Sequence, residues 1–319
     1  MARRVAVQMD PLESINISGD SSFALMLSAQ KRGYKLYHYL ADALTYADGR
    51  LYAGAHEVSV QPTPGDHFHL GAFEILDLGR DVDVVLMRQD PPFDLGYITA
   101  THLLERIQDE TLVVNDPAAV RNAPEKVWVL DFARFMPPTA LTRSLGVARK
   151  FAEEHGEIVI KPLHGNAGKA VFKVGSDGAN LAPLMELFNA TYREPHVVQA
   201  FLPEVMEGDK RIVLIEGEVA GAINRRPQSG DIRSNLAAGG TAEASDLTDT
   251  EREICAALGP ELKRRGLLFV GIDVIGGRWL TEINVTSPTG IVAIDKFNGT
   301  DTPALIWDAI EARLDRRTA

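Results

Sequence analysis

Cysteine is almost absent from this chain of 319 residues. Its one thiol, Cys255, excludes an intrachain disulfide and a thiolate zinc cluster, the usage expected of a reducing compartment. Long hydrophobic runs are missing too. No stretch reaches membrane-spanning length, and the opening MARRVAVQMD carries charge without the apolar run of a signal peptide. Positive charge is in short supply: 33 Lys and Arg stand against 44 Asp and Glu, a net charge of -11 that disfavours a nucleic-acid partner. Local basic clusters can still hold a small anion. A Gly-Lys-Ser/Thr phosphate loop, a GxGxxG fingerprint, internal repeats and low-complexity tracts are all lacking. The histidines show neither triad nor metal spacing, and Cys255, within the helical pattern EREICAALGPELKRRG, reads as a small core residue. These absences lead to the expectation of a cytoplasmic protein that works without nucleic acid or membrane.

What is present is the composition of a globular enzyme, 45% hydrophobic and 24% charged, in a chain long enough for two or three lobes. Strand-like RVAVQM, VDVVLMR and TLVVND alternate with helix-like SSFALMLSAQKRG and GYITATHLLERIQ, which predicts an α/β lobe with a largely parallel sheet over 1–122. Asp20 or Ser21 can cap its first helix and Gly33 can end it. From 123 to 203 the pattern changes to EIVIKPL, KAVFKV and HVVQAF with one helix, a small α+β lobe. From 204 to 319, KRIVLIEGEVAGAIN and FVGIDVIGGRWLTEIN predict a third lobe built on antiparallel strands.

The last of these segments carries the clearest chemistry. A two-residue turn at Gly276-Gly277 would set Ile275 opposite Arg278. Alternation then places Asp273, Glu282 and Asn284 on one face, with Ile272, Val274, Trp279 and Ile283 on the other. Three hard oxygen donors without His or Cys suit magnesium, although strand-borne carboxylates also suit an open solvated face. A magnesium face needs phosphate, and phosphate needs cations and close backbone approach. Lys161 closes the run EIVIKPL, Gly165 and Gly168 follow in HGNAGKA, and Lys126 begins an amphipathic stretch just before; each lysine alone would equally suit a surface charge. The Gly- and Ser-rich stretch 226–241 interrupts two strand regions, and its arginines favour a functional loop.

With these motifs assembled, the chain resembles the prokaryotic glutathione synthetases of the ATP-grasp superfamily. The resemblance runs over nearly its whole length: MDPLESINISGDSSFALMLSAQKRG, LMRQDPPFD, IVIKPLHGNAG, EGDKRIVLIEGEVAGAINRRP, RSNLAAGG and FVGIDVIGGRWLTEINVTSPTG. It implies an ATP-grasp fold preceded by a Rossmann-like lobe, and ligation of γ-glutamylcysteine to glycine through an acyl phosphate, with ATP and Mg2+ (or Mn2+). It further implies that Lys126 and Lys161 hold phosphates and that Gln199, Ala200, Phe201 and Leu202 form an adenine hinge. Asp209, ahead of Glu207, would take the ribose. Arg211 and Arg226 would stabilise the transferring phosphoryl group or oxyanion, and Arg233 would sit in a lid. Asn16, Ser22, Arg88, Ser287 and Thr289 would recognise the substrates, and a homo-oligomer, a tetramer, is expected. The phosphate loop departs from the family, which often has Asp where His164 stands and Gly where Ala167 stands. Two other readings compete: an ATP-grasp ligase for a different peptide or amino-acid pair, and a nucleotide-binding regulatory protein that keeps the fold without ligating.

Overall fold

The computed structural model describes residues 2–165, 168–236 and 239–318. Its first sheet contains β1 (Arg4–Gln8), β2 (Lys35–Tyr39), β3 (Leu44–Ala47), β4 (Arg50–Val60), β5 (Phe68–Asp77), β6 (Val84–Met87) and β7 (Leu112–Val114), in the order β3-β4-β2-β1-β6-β7 with β5 on β4. Only the β2-β1-β6-β7 part is parallel. The expected parallel sheet is thus extended by an antiparallel arm, because β4 and β5 form a long hairpin that the strand–helix alternation did not disclose. Helix α1 (Ser21–Lys31) starts at Asp20, whose Oδ1 accepts from the Phe23 N–H at 2.6 Å. Helices α2 (Leu95–Glu105) and α3 (Pro117–Arg121) complete this lobe, and α4 (Glu125–Trp128) leads out of it.

The middle lobe has a four-stranded antiparallel sheet of β8 (Thr139–Thr142), β9 (Ile158–Pro162), β10 (Phe172–Val174) and β11 (His196–Ala200), ordered β10-β9-β11-β8. Helices α5 (Leu145–His155) and α6 (Leu181–Thr191) back it. Its core of Ile158, Ile160, Met185, Phe188 and neighbours is separate from the rest of the interior. The third sheet is antiparallel throughout. It contains β12 (Asp209–Ile215), β13 (Glu218–Arg226), β14 (Thr241–Ala244), β15 (Phe269–Ile275) and β16 (Trp279–Asn284), in the order β14-β13-β12-β15-β16.

Helices α7 (Asp249–Arg265), α8 (Ile291–Asn298) and α9 (Thr302–Thr318) follow from the third part of the sequence. Helix α9 nevertheless docks on α1 of the first lobe, with Trp307 Nε1 donating to the Leu25 carbonyl at 2.9 Å and Arg32 pairing with Asp308 and Glu311. Val5 and Leu86 of the first sheet, Val213 and Ile223 of the third, and Trp307 of α9 belong to one buried cluster. The first and third lobes therefore share a core. Asn115 joins them through polar bonds as well: its amide donates to the carbonyls of Phe269 (2.7 Å) and Val285 (2.9 Å) and accepts from the Phe269 N–H (2.8 Å).

Candidate active site

The β15–β16 hairpin differs from its sequence expectation in register. Gly276 and Gly277 both lie at positive φ (61° and 68°), a region glycine enters without steric cost. Ile275, however, pairs with Trp279 across a three-residue turn. A bulge then shifts the ladder so that Asp273 faces Glu282 directly, while Gly271 faces Asn284. Leu280 pairs with Val274 in the core, and Trp279 shares the Asp273 side rather than the core side. The bulge absorbs the extra residue, so Asp273, Glu282 and Asn284 still converge.

Cations surround these donors. Arg211 Nε and Nη2 bind the two oxygens of Asp273 at 2.6 and 3.1 Å, and Arg225 Nη2 reaches the same carboxylate at 2.9 Å. Lys126 and Lys161 lie 3.3 and 3.6 Å from one oxygen of Glu282, and Lys126 also donates to the Gly165 carbonyl at 2.6 Å. The Asn284 amide sits 3.4 Å from Asp273 Oδ2 on one side and 3.3 Å from both Glu125 oxygens on the other. With its nitrogen donating to Glu125, its oxygen turns toward Asp273. Two carboxylates and an amide oxygen then lie on neighbouring strand positions, a donor set whose chemistry fits a hard divalent cation. Among the described residues, no cluster of three or more His, Cys, Asp or Glu forms a metal site.

The titration directions follow from this packing. Burial opposes charge on Asp273, but Arg211 and Arg225 outweigh it and hold the carboxyl below its ordinary range. Burial likewise opposes charge on Glu282, and Lys126 and Lys161 overcome it. Burial pushes Glu125 up to about 7 against the pull of Lys126, and Asp209 up to about 6 against that of Arg225. Desolvation lowers Lys161, whereas at Lys126 desolvation is overridden by Glu282 and Glu125 and the pKa rises.

Two cavities meet at this hairpin. The first, about 120 Å3, lies between the middle and third sheets and is lined by Lys126, Lys161, Gly165 and Gly168, the hinge Gln199–Leu202, Asp209, Arg233, Asp273 and Glu282. Apolar walls come from Val159, Val171, Val205 and Ile275. The Ala200 and Phe201 N–H groups already bond to the carbonyls of Pro138 and Glu157, and the Gln199 amide donates to Thr139 Oγ1 at 2.8 Å. The loop after β13 closes over this cavity. Ser234 Oγ donates to Asp209 at 2.9 Å, and a Cβ on Gly168 (φ +70°) would meet Asn235 Oδ1 at 3.0 Å and Arg233 Cδ at 3.2 Å. Arg233 is held by Asp231 at 2.7 Å.

The second cavity, about 190 Å3, is lined by Asp90, Glu125, Arg211, Arg225, Asn235, Glu282, Asn284 and the segment Thr286–Gly290. Glu282 and Asn235 border both cavities.

Several sequence-derived residues lie elsewhere. Arg226 is exposed and pairs with Glu243 at 2.7 Å, while its neighbour Arg225, 4% exposed, faces the site and bonds Asp209 and Asp273. Asn16 is exposed and caps Ser18. Ser22 and Arg88 are buried together, Arg88 Nε donating to Ser22 Oγ and Nη2 to the Pro288 carbonyl, both at 2.9 Å, and neither lines a cavity. Ser287 and Thr289 line the second cavity. Glu207 is exposed and borders neither. His164 stacks on Phe93 at a centroid distance of 5.8 Å, and Ala167 lies outside the described residues. Sequence reading did not single out Asp90, Glu125, Arg225, Ser234 or Asn235; Glu125 and Arg225 are immediate neighbours of residues it did choose.

The three-lobed architecture, with a lysine-lined cleft between the second and third sheets, is that of an ATP-grasp ligase. D-cycloserine synthetase DcsG superposes with a TM-score of 0.69 at 17% identity, covering 98% of this chain and 99% of that one. The ATP-grasp ligase PsnB, solved with a minimal precursor, Mg and ADP, gives 0.61 at 18% identity, with 98% of each chain covered. At such identities these two support the fold alone. The family model of the prokaryotic glutathione synthetase N-terminal domain matches residues 4–121, and that of the same family's ATP-grasp domain matches residues 125–299. Glutathione synthetase of Rhodopseudomonas palustris is 56% identical over 98% of this chain and 99% of its own length, and that of Brucella melitensis is 53% identical over 98% and 100%. The chain belongs to the prokaryotic glutathione synthetase family.

Proposed function

We propose that the chain joins γ-glutamylcysteine to glycine at the expense of ATP, yielding glutathione, ADP and phosphate. The observation that carries this reading is the shared wall: Glu282 borders a cavity with three lysines and apolar walls on one side and a polar, charge-bearing cavity on the other. A phosphoryl donor in the first and a carboxylate acceptor in the second meet there. The three lobes divide the work accordingly: residues 1–122 face the peptide, 123–203 hold the nucleotide, and 204–319 supply the metal ligands and the lid.

Lys126 and Lys161 bind the phosphates, and the hinge Gln199–Leu202 borders the base; with the Ala200 and Phe201 N–H groups occupied, the base meets other groups of that segment. Asp209 borders the ribose while anchoring the loop through Ser234. Asp273, Glu282 and Asn284 would hold a magnesium or manganese ion, which would supply charge neutralisation for the phosphates. A substrate carboxylate oxygen attacks the γ-phosphorus and ADP departs. The glycine amine then attacks the acyl carbon, and phosphate and a proton leave. Arg211 and Arg225, with fixed forked donors, stabilise the oxygens that gain charge in both steps. Burial of Arg225 in the cavity supports it in this role ahead of the exposed Arg226. Arg233, with Asn235, closes the loop and excludes water from the acyl phosphate.

We infer a cytoplasmic homo-oligomer, a tetramer. Exposed Leu70, Phe73 and Ile75 on β5 support self-association, and light scattering at several concentrations checks it. The reaction is tested by ADP release with Mg-ATP, omitting γ-glutamylcysteine and glycine in turn. Equal amounts of ADP and glutathione, only with both present, are expected. ADP formed only with another acceptor pair would move the assignment to a different ligase.

A further inference from the structure

The second cavity offers a built acceptor for a primary ammonium. We infer that the Asp90 carboxylate receives the α-ammonium of the γ-glutamyl residue, fixing the dipeptide with its reacting end toward Glu282. This rests on the reaction proposed above. Three carboxylates line that cavity, and two are engaged: Glu282 by Lys126 and Lys161, and Glu125 by Asn284 and the Thr286 hydroxyl. Asp90 is exposed, its Oδ1 accepts only the neutral Ser287 hydroxyl at 2.6 Å, and no ion pair reaches it among the described residues. Its backbone N–H is tied to Asp10 Oδ2 at 2.7 Å, so the carboxylate is held in place.

Arg88 makes no ion pair with Asp90. It lines neither cavity, gives donors to Ser22 and Pro288, and is influenced by the charge of Asp20 as well as Asp90. Arg211 and Arg225 enter the same cavity from the third sheet. The space thus presents cations on the hairpin wall and an unpaired carboxylate on the first-lobe wall, matching a substrate with one ammonium and separate carboxylates. Glycine's amine is a poor fit to Asp90, because it must arrive uncharged at the acyl carbon beside Glu282.

The test compares D90N and wild type on γ-glutamylcysteine and on glutarylcysteine, which lacks the α-amine. A charge-assisted hydrogen bond predicts a rise of about 10- to 100-fold in the γ-glutamylcysteine KM of D90N. Wild type should show a similar penalty for glutarylcysteine. The two losses should not add: D90N should handle glutarylcysteine within about 2-fold of wild type, with ATP and glycine KM values unmoved. D90E should recover part of the loss by keeping the charge. Equal penalties for both substrates, or a rise in glycine KM instead, would overturn the inference while leaving the reaction intact. A wild type inactive on γ-glutamylcysteine would remove the proposed reaction, and this inference with it.

Discussion

The two cavities share Glu282 and Asn235 yet differ in most of their lining. The first sets three lysines and a glycine loop beside valine and isoleucine walls; the second is lined mainly by Asp, Glu, Arg, Asn and the Thr286–Gly290 segment. Valine and isoleucine walls beside lysines suit a flat base and a phosphate tail, whereas a cavity lined by arginines and carboxylates suits a zwitterion. The difference also follows the cores. The first cavity lies between a lobe with its own small interior and the larger body, so its width depends on how that lobe sits. The second lies within the body that the first and third lobes build through one shared cluster.

Breaking the shared wall should have the largest effect. E282Q removes the carboxylate that both lysines contact and that the metal requires, and kcat should fall by about 100- to 1000-fold. Turnover near wild type would remove the Glu282 carboxylate from the transfer between the two cavities. Next in size is the contrast between neighbouring arginines. R225Q removes a buried cation from both Asp209 and Asp273, leaving Asp209 with the neutral Ser234 hydroxyl while Asp273 keeps Arg211, and should cost about 3–5 kcal/mol in denaturant unfolding, together with activity. R226Q removes only an exposed pair and should cost under about 1 kcal/mol. Equal effects would mean that strand parity does not separate the two.

The smallest expected effect lies outside both cavities. Burial pushes the Cys255 thiol up to about 12. The reactive thiolate is therefore nearly absent from the folded protein at pH 8, well below that value, whereas an unfolded cysteine titrates near pH 8.5. Iodoacetamide should leave Cys255 unmodified in native buffer without loss of activity, and label it once urea unfolds the chain. Rapid labelling with loss of turnover would connect Cys255 to a cavity after all.

Much of the site was legible because its signals are local. Asp273, Glu282 and Asn284 stand on a hairpin that alternation can orient, and Lys161 stands near the end of a strand just before the loop that carries Gly165 and Gly168. The choice of Arg226 over Arg225 failed to use register: β12 pairs Asp209 with Arg225 and Arg211 with Ile223, so Arg225 faces the site and Arg226 points away. Arg88 was legible as a cation close to DPPFD, whereas its hydrogen bonds to Ser22 and Pro288, partners distant in sequence, were not. Glu125 and Asp90 carried no pattern at all, since a lone carboxylate in a short segment has no period to reveal its direction.

Sequence alone determined the strand and helix texture, the capped α1, the antiparallel third lobe and the oxygen-donor hairpin, because each depends on neighbours a few residues apart. Tertiary structure decided the bulge that sets Asp273 against Glu282, the docking of α9 on the first lobe, and the burial of Arg225 with Arg211 around one carboxylate. These depend on packing between segments far apart in the chain. The free energy of a buried charge or a shared core is fixed by what surrounds it in space, which local periodicity does not encode.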